Sequence, residues 1–131
     1  MMPKIPTRWL ARTVPLIGVL LICKAEVPIL RTGSAFSMGV VVAESGFQLS
    51  GIEPRALQRL ADSGRTSTQW VCPECGSWIA GPARDGLVRV RAGTLDDTSR
   101  LKPTRHIWVR SKQPWVVFGD GDEIFEKAAP A

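Results

Sequence analysis

The chain has few of the residues that hold metal ions or cross-link secreted domains. Its 131 residues include three cysteines and one histidine. An odd number of cysteines, two of them in one Cys-x-x-Cys, does not make a disulfide framework and fits a reducing compartment better. We therefore predict a cytoplasmic protein of one domain, small enough for a bound metal to add usefully to its stability.

The chain also lacks an apolar run long enough to cross a bilayer. Residues 14–22 form an apolar run of nine, where a spanning helix needs about 20. Basic residues before it and Cys23 after it would also suit a secretory signal or a lipoprotein cleavage site. However, Ile22 occupies the position where such a site requires a small residue, and Pro15 interrupts the run. We expect a buried strand or a poorly ordered arm, and no membrane partner.

The formal charge of +5 is not concentrated in the way that nucleic-acid binding requires. Residues 1–30 carry four basic groups and one acidic group, whereas the remaining residues carry 13 basic and 11 acidic groups. No basic stripe of helix length occurs, and acidic residues interleave with the arginines of residues 84–110. The pattern indicates a solvated mixed-charge surface and no nucleic-acid partner.

The segment that carries chemistry is a Cys-Pro-Glu-Cys-Gly turn. Cys72 and Cys75 are three residues apart, and in a tight turn both sulfurs can lie about 2.3 Å from one Zn²⁺. Pro73 bends the loop and Gly76 allows the backbone to turn back behind the metal. The alternatives are a reduced turn without metal and a redox pair of the thioredoxin type. The redox pair is disfavoured because no βαβ pattern surrounds the turn.

A structural zinc ion requires four ligands, and the chain offers few more. Beyond the pair, the remaining cysteine is Cys23 and the histidine is His106. A site made of all four residues satisfies tetrahedral zinc on paper. His106, however, lies in a strand-like run and is better explained as a hydrogen-bonded or solvent-facing residue, and Cys23 as a buried apolar cysteine.

The rest of the chain has the pattern of a mainly β protein. Short β-branched or alternating segments are separated by turns that contain glycine, proline and serine. The clearest strand candidates are residues 38–43, 66–71, 78–80, 87–91 and 106–109. In residues 87–91, Val88 and Val90 should face one way and the two arginines the other. Residues 55–62 are compatible with either a helical turn or a strand.

Several motifs occur in the order typical of one family. They are Thr-Gly-Ser-Ala-Phe at 32–36, Trp-Val-Cys-Pro-Glu-Cys-Gly at 70–76, Ala-Gly-Thr-Leu-Asp-Asp at 92–97, His-Ile-Trp at 106–108 and Pro-Trp at 114–115. Over residues 32–127 the chain resembles the glutathione-dependent formaldehyde-activating enzyme (GFA) family, which also includes centromere protein V. One such motif alone is weak, but five in register are a specific signal.

The resemblance implies a small Mss4-like (β-tent) fold of short antiparallel strands with a zinc knuckle. It also implies two zinc sites. A structural site joins an early Cys-x-Cys-Gly to the later Cys-x-x-Cys, and a catalytic site uses Cys-His-Cys-x-x-Cys before the Thr-Gly-Ser-Ala-Phe segment. Family members are carbon–sulfur lyases, and the founding activity is reversible formation of S-(hydroxymethyl)glutathione from glutathione and formaldehyde.

Carried onto this chain, the resemblance makes Cys72 and Cys75 structural zinc ligands. Cys23 falls on the first catalytic position, but Ala25 and Pro28 occupy the second and third cysteine positions. Lys24 stands in place of the histidine, and no Cys-x-Cys-Gly occurs upstream. Four of seven expected ligands are thus missing, and one thiolate from Cys23 cannot hold a catalytic metal.

The small residues Thr32, Gly33 and Ser34 are the predicted substrate-binding residues. Without bulky side chains they would let the backbone approach a thiol substrate closely, and the implied partner is a thiol–aldehyde adduct of the glutathione class. The alternative is a plain turn that leads into the strand at 38–43.

The losses are confined to one end of the chain, so we divide it into an atypical segment, 1–31, and a GFA-like domain, 32–131. We hypothesise that 1–31 arises from a shifted reading frame, a misassigned start or a decayed gene copy, or that it is disordered. The predicted function is a zinc-dependent carbon–sulfur lyase, impaired in this chain. The alternative is a non-catalytic zinc-knuckle binding module or a degenerate family copy. No oligomeric state is predicted.

Overall fold

The computed structural model describes residues 18–22, 33–61 and 64–130. Within these ranges the chain forms eight β-strands, three 3-10 turns and no α-helix. The strands are β1 Gly18–Ile22, β2 Ser37–Ala43, β3 Arg55–Leu60, β4 Thr66–Val71, β5 Trp78–Pro82, β6 Leu87–Arg91, β7 Arg105–Ile107 and β8 Glu123–Phe125. The prediction of a small, mainly β fold is confirmed. No helix in the described ranges has the length and apolarity to cross a membrane.

All eight strands belong to one sheet, in the order β3-β4-β5-β6-β2-β1-β7-β8. Strands β3 to β6 form a meander in which each strand pairs antiparallel with the next. Strand β2 then pairs antiparallel with β6 and with β1. Strands β7 and β8 join in parallel, β7 beside β1 and β8 beside β7. The antiparallel pairing that the resemblance implies therefore holds for six strands, and two further strands extend the sheet in parallel.

The core lies on one face of the central strands. As the alternation in 87–91 predicts, Val88 and Val90 are buried, and they pair with Val42 and Val40 of β2. Alternate residues of a strand share a face, so these four valines form one apolar surface. Burial of each such side chain contributes about 1.5–3 kcal/mol. Other core members are Cys72, Ile79, Ala80 and Ala92.

Residues 55–62, whose sequence is compatible with either a helical turn or a strand, contain strand β3. A tight hairpin enforces this choice: the Ala61 N–H donates to Arg65 O and the Gly64 N–H donates to Ala61 O, both at 2.8 Å. Gly64 has a φ of +77°, which glycine adopts without strain. The hairpin brings the Thr-rich strand β4 alongside, and its backbone ladder takes over the hydrogen bonds that a helix would have made internally.

The strand predicted at 106–109 ends earlier than expected. Trp108 has a φ of 60° and a ψ of 33°, a left-handed conformation that breaks the extended backbone. A 3-10 turn, Val109–Ser111, follows directly. The Trp108 N–H donates to Lys127 O at 2.9 Å, so the chain turns toward its own C-terminal segment instead of extending β7.

Five strand ends that surround the candidate site lie at the same end of the sheet, which we call the knuckle end. Val71, the last residue of β4, pairs with Trp78, the first of β5. Ile22, the last residue of β1, pairs with Ser37, the first of β2. Arg91 ends β6 at this same end, two residues along from the start of β2. Strand β6 lies between these two pairs, so the knuckle turn and the start of β2 are at one end of the sheet but not on adjacent strands.

Candidate zinc knuckle and its surroundings

The Cys-Pro-Glu-Cys-Gly segment forms a closed turn between β4 and β5. The Cys72 N–H donates to Ser77 O at 2.9 Å, and the Gly76 N–H donates to Cys72 O at 2.8 Å. Gly76 has a φ of +72°, as the predicted reversal behind the metal requires. The Cys72 side chain is buried at the edge of the core, whereas residues 73–77 are exposed. The turn thus presents one anchored thiol and one accessible thiol.

The two thiols of the turn share one hydrogen-bond network. Cys75 Sγ lies 3.3 Å from Ser77 Oγ. Hydrogen bonds from the side chain and backbone of Ser77, and from the Cys72 thiol, lower the pKa of Cys75. Both cysteines thus belong to the same short turn, with Cys75 as its accessible thiol. A lowered pKa favours the thiolate, which is the form of cysteine that binds metals.

This donor set fits half of a structural zinc site. Two cysteines on one turn are a unit from which tetrahedral zinc sites are assembled, and such a site needs four ligands. Among the described residues, no group of three or more His, Cys, Asp or Glu side chains could hold a metal ion. Cys23, the predicted third cysteine ligand, lies outside the described residues, as do Lys24, Ala25 and Pro28.

The predicted substrate-binding residues lie before β2 at the knuckle end. Gly33 is exposed and has a φ of +64°, so the backbone turns there. Ser34 is half-buried, Ala35 is buried, and Ser37 begins the strand. Thr32 lies outside the described residues. A turn that leads into the strand is therefore present, and binding of substrate by Gly33 and Ser34 stays a prediction.

His106 pairs with Asp122 beside β7 and β8. It belongs to no group of possible metal ligands among the described residues. His106 Nε2 lies 2.7 Å from Asp122 Oδ2, and both side chains are buried. The Gly119 N–H donates to the same carboxylate oxygen at 2.9 Å, and the Phe118 ring centroid is 4.4 Å from that of the imidazole. The hydrogen bond from His106, followed by that from Gly119, lowers the pKa of Asp122. The interpretation of His106 as a hydrogen-bonded residue fits this geometry.

Arg91 and Trp78 are in contact beside the knuckle. The Arg91 guanidinium lies 4.7 Å from the centroid of the Trp78 ring, and Trp78 Nε1 donates to Ala80 O at 2.9 Å. The Thr94 hydroxyl donates to Arg91 O at 2.7 Å, which fixes the start of the 92–97 segment. Farther along, the Ser99 N–H and hydroxyl both donate to Asp97 Oδ1. Side-chain hydrogen bonds thus hold the turns at both ends of this segment.

A comparison with known families decides the lineage. A profile described as glutathione-dependent formaldehyde-activating enzyme matches residues 19–111. The chain belongs to the GFA family. The match begins within β1 and includes the knuckle and strand β7. No curated protein sequence matches this chain.

For this GFA-family chain, sequence reasoning missed two arginines near the site. The alternation of residues 87–91 placed Arg89 and Arg91 on the face opposite the valine core, and we interpreted that face as solvated. In the structure both arginines are half-buried, and burial lowers the pKa of both. The alternation could place them on one face, but it could not show that the face is covered.

Proposed function

We propose that this protein descends from, and retains the scaffold of, a zinc-dependent carbon–sulfur lyase that acts on thiol–aldehyde adducts such as S-(hydroxymethyl)glutathione. The observation that carries the proposal is the closed turn that holds Cys72 and Cys75, set in a family domain that matches residues 19–111. The proposed setting is the cytoplasm, and the proposed substrate is a small thiol of the glutathione class.

Zinc in such a site polarises a carbonyl oxygen or holds a sulfur atom as its thiolate. In this chain Cys72 and Cys75 would hold a structural ion. The catalytic set does not fit a metal, because Ala25 and Pro28 have no ligating side chain. We therefore propose that catalysis in this chain is impaired, and we derive no step through a catalytic metal.

The proposed role of the chain's own residues is to bind and orient the thiol substrate. The turn at Gly33 and Ser34 offers backbone groups without bulky side chains, next to the first residue of β2. Release of an aldehyde from the adduct requires loss of the hydroxyl proton and departure of the sulfur as a thiolate. A pocket that holds the thiol portion serves either direction of that reaction.

The second candidate is a non-catalytic zinc-knuckle module that binds a partner through its surface. Large apolar side chains near the C-terminus favour it: Trp115 is 67% exposed and Val117 is 90% exposed. These residues flank the buried Val116, so the segment is anchored while its neighbours face solvent. Apolar residues displayed in this way are typical of interaction surfaces.

Zinc stoichiometry and turnover together separate these functions. We would measure zinc per chain on purified protein and follow formaldehyde-dependent loss of free glutathione by NMR. More than one zinc ion per chain, with turnover, supports the enzyme. One ion or none, without turnover, supports the module or a degenerate copy.

Two variants assign the metal in that experiment. Cys72→Ser should abolish zinc binding at the knuckle, because a single remaining thiolate is a weak site. Cys23→Ser tests separately whether the predicted third cysteine ligand contributes to zinc binding. If Cys72→Ser retains its zinc, the knuckle is not the metal site.

A further inference from the structure

Strand β6 carries two arginines on the face opposite the valine core. Arg89 and Arg91 are two residues apart, so their side chains leave the strand on the same side. Arg89 crosses over β2: a Cβ atom added to Gly39 would lie 2.9 Å from Arg89 Cγ. Glycine at position 39 therefore makes room for the Arg89 side chain. Position 39 of β2 thus has no side chain where the Arg89 side chain passes over it.

Neither guanidinium is neutralised by the described residues. The ion pairs found there are Arg105 with Glu123 and His106 with Asp122. Arg91 Nη1 is buried and has no hydrogen-bond acceptor. Burial, and for Arg91 also repulsion from Arg89, lowers the pKa of both guanidinium groups. A desolvated cation without an acceptor is costly, and folded proteins normally pair such groups.

Arg91 lies at the knuckle end of the sheet, the end at which the candidate substrate-binding turn enters β2. Arg91 pairs with Gly39, two residues from the start of β2, and the turn at Gly33 and Ser34 precedes that strand. The guanidinium of Arg91 rests on Trp78, which follows Cys75 by three residues. The ring packs against the guanidinium, whose N–H groups lie in its own plane and can donate to an acceptor there.

We propose that Arg91, supported by Arg89, is a subsite for a carboxylate group of the thiol substrate. A carboxylate accepts two parallel N–H bonds from a guanidinium, and that geometry supplies the missing acceptor for Arg91 Nη1. Glutathione carries two carboxylates, whereas small aldehydes carry none. The inference rests on the proposed function only in that the anion belongs to a thiol of the glutathione class.

The test is a binding measurement that does not depend on turnover. We would titrate the protein with S-methylglutathione, which cannot form an adduct through its blocked sulfur, and with its dimethyl ester, and follow binding by calorimetry. The diacid should bind about 10- to 100-fold more tightly than the diester, as expected for charge-assisted hydrogen bonds. Equal binding of the two probes, or binding of neither, would overturn the subsite.

Three variants locate the effect. Arg91→Gln should remove the preference for the diacid, and Arg91→Lys should restore only part of it, since an ammonium cannot form the paired contact. Arg84→Gln is the matched control, because Arg84 is exposed at the other end of the β5–β6 hairpin. Loss of the preference in Arg84→Gln, or its retention in Arg91→Gln, would contradict the assignment.

A thermal-unfolding measurement separates ligand binding from a structural role. Arg91→Met removes an unpaired buried charge and keeps an apolar stem over Trp78, so Tm without ligand should stay the same or rise. The rise in Tm that S-methylglutathione produces in the wild-type protein should be lost. A lower Tm without ligand, together with an unchanged ligand effect, would show that Arg91 is structural.

The outcomes also distinguish this subsite from the lyase proposal. Carboxylate-dependent binding through Arg91 without any aldehyde chemistry would support the subsite and show that the chain has lost lyase activity. Turnover that is equal for glutathione and the uncharged thiol 2-mercaptoethanol, and unchanged in Arg91→Gln, would overturn the subsite and leave the lyase.

Discussion

The knuckle and the His106–Asp122 pair are both polar sites on one sheet, but they differ in how far their interactions are completed by the described chain. The Asp122 carboxylate receives hydrogen bonds from His106 and Gly119, under the Phe118 ring. Among the described residues, the knuckle presents an exposed Cys75 and too few ligands for a metal. The closed His106–Asp122 pair contributes mainly to stability, although the buried His106 Nδ1 has no hydrogen-bond partner among the described residues. The open knuckle needs further ligands that the described residues do not supply.

The largest effect should come from removing the closed pair. His106→Ala leaves a cavity beside Phe118 and an unpaired carboxylate, and we expect a loss of about 3 kcal/mol in the free energy of unfolding. Chemical denaturation measures this loss. Zinc binding at Cys72 and Cys75 should persist in the variant under native conditions. A variant as stable as the wild type would show that the pair does not support the fold.

A smaller effect is expected from altering the turn of the open site. Gly76→Ala places a Cβ atom on a residue with a φ of +72°, which should cost about 1–2 kcal/mol and weaken zinc binding. Gly93→Ala is the matched control: an added Cβ atom meets nothing within 4 Å at either position, but Gly93 is not among the glycines with a positive φ. Denaturation and zinc competition would compare the two variants. Equal behaviour of both would mean that the left-handed turn is not required.

The smallest effect is a change in the pH dependence of stability. The lowered pKa of Asp122 means that its stabilising contribution is present at pH values above its unfolded pKa of about 4. That contribution is lost as the pH falls below this value toward the folded pKa. Tm should therefore fall more steeply between about pH 4 and pH 2 in the wild type than in Asp122→Asn. The exposed neighbour gives the control Asp120→Asn, whose pH curve should follow the wild type.

The sequence pattern predicted the central strands because the positions of their apolar residues match the face of the sheet that is buried. In β2 and β6 the valines alternate with residues of the other face, and the pairing of Val40 with Val90 buries them together. The 55–60 segment was ambiguous because its residues suit a helix as well as a strand. The partner strand β4 decided its structure, and that information is not local.

The site was predictable in its motif and not in its surroundings. The spacing of Cys72 and Cys75 encodes a turn, so the knuckle could be placed from the sequence. The pairing of His106 with Asp122 spans 16 residues and depends on the parallel register of β7 and β8, in which His106 lies beside Ile124. The burial of Arg89 and Arg91 depends likewise on what covers the second face of the sheet. Both features depend on tertiary contacts, which leave no periodic pattern in the sequence.

The position of β1 limits how the beginning of the chain can vary. In the described sheet β1 lies between β2 and β7, and its backbone bonds to both. A transcript or engineered truncation that starts after Ile22 would remove the strand that joins β7 and β8 to the other five strands. Any alternative upstream reading frame must therefore still supply a five-residue strand that pairs with both β2 and β7.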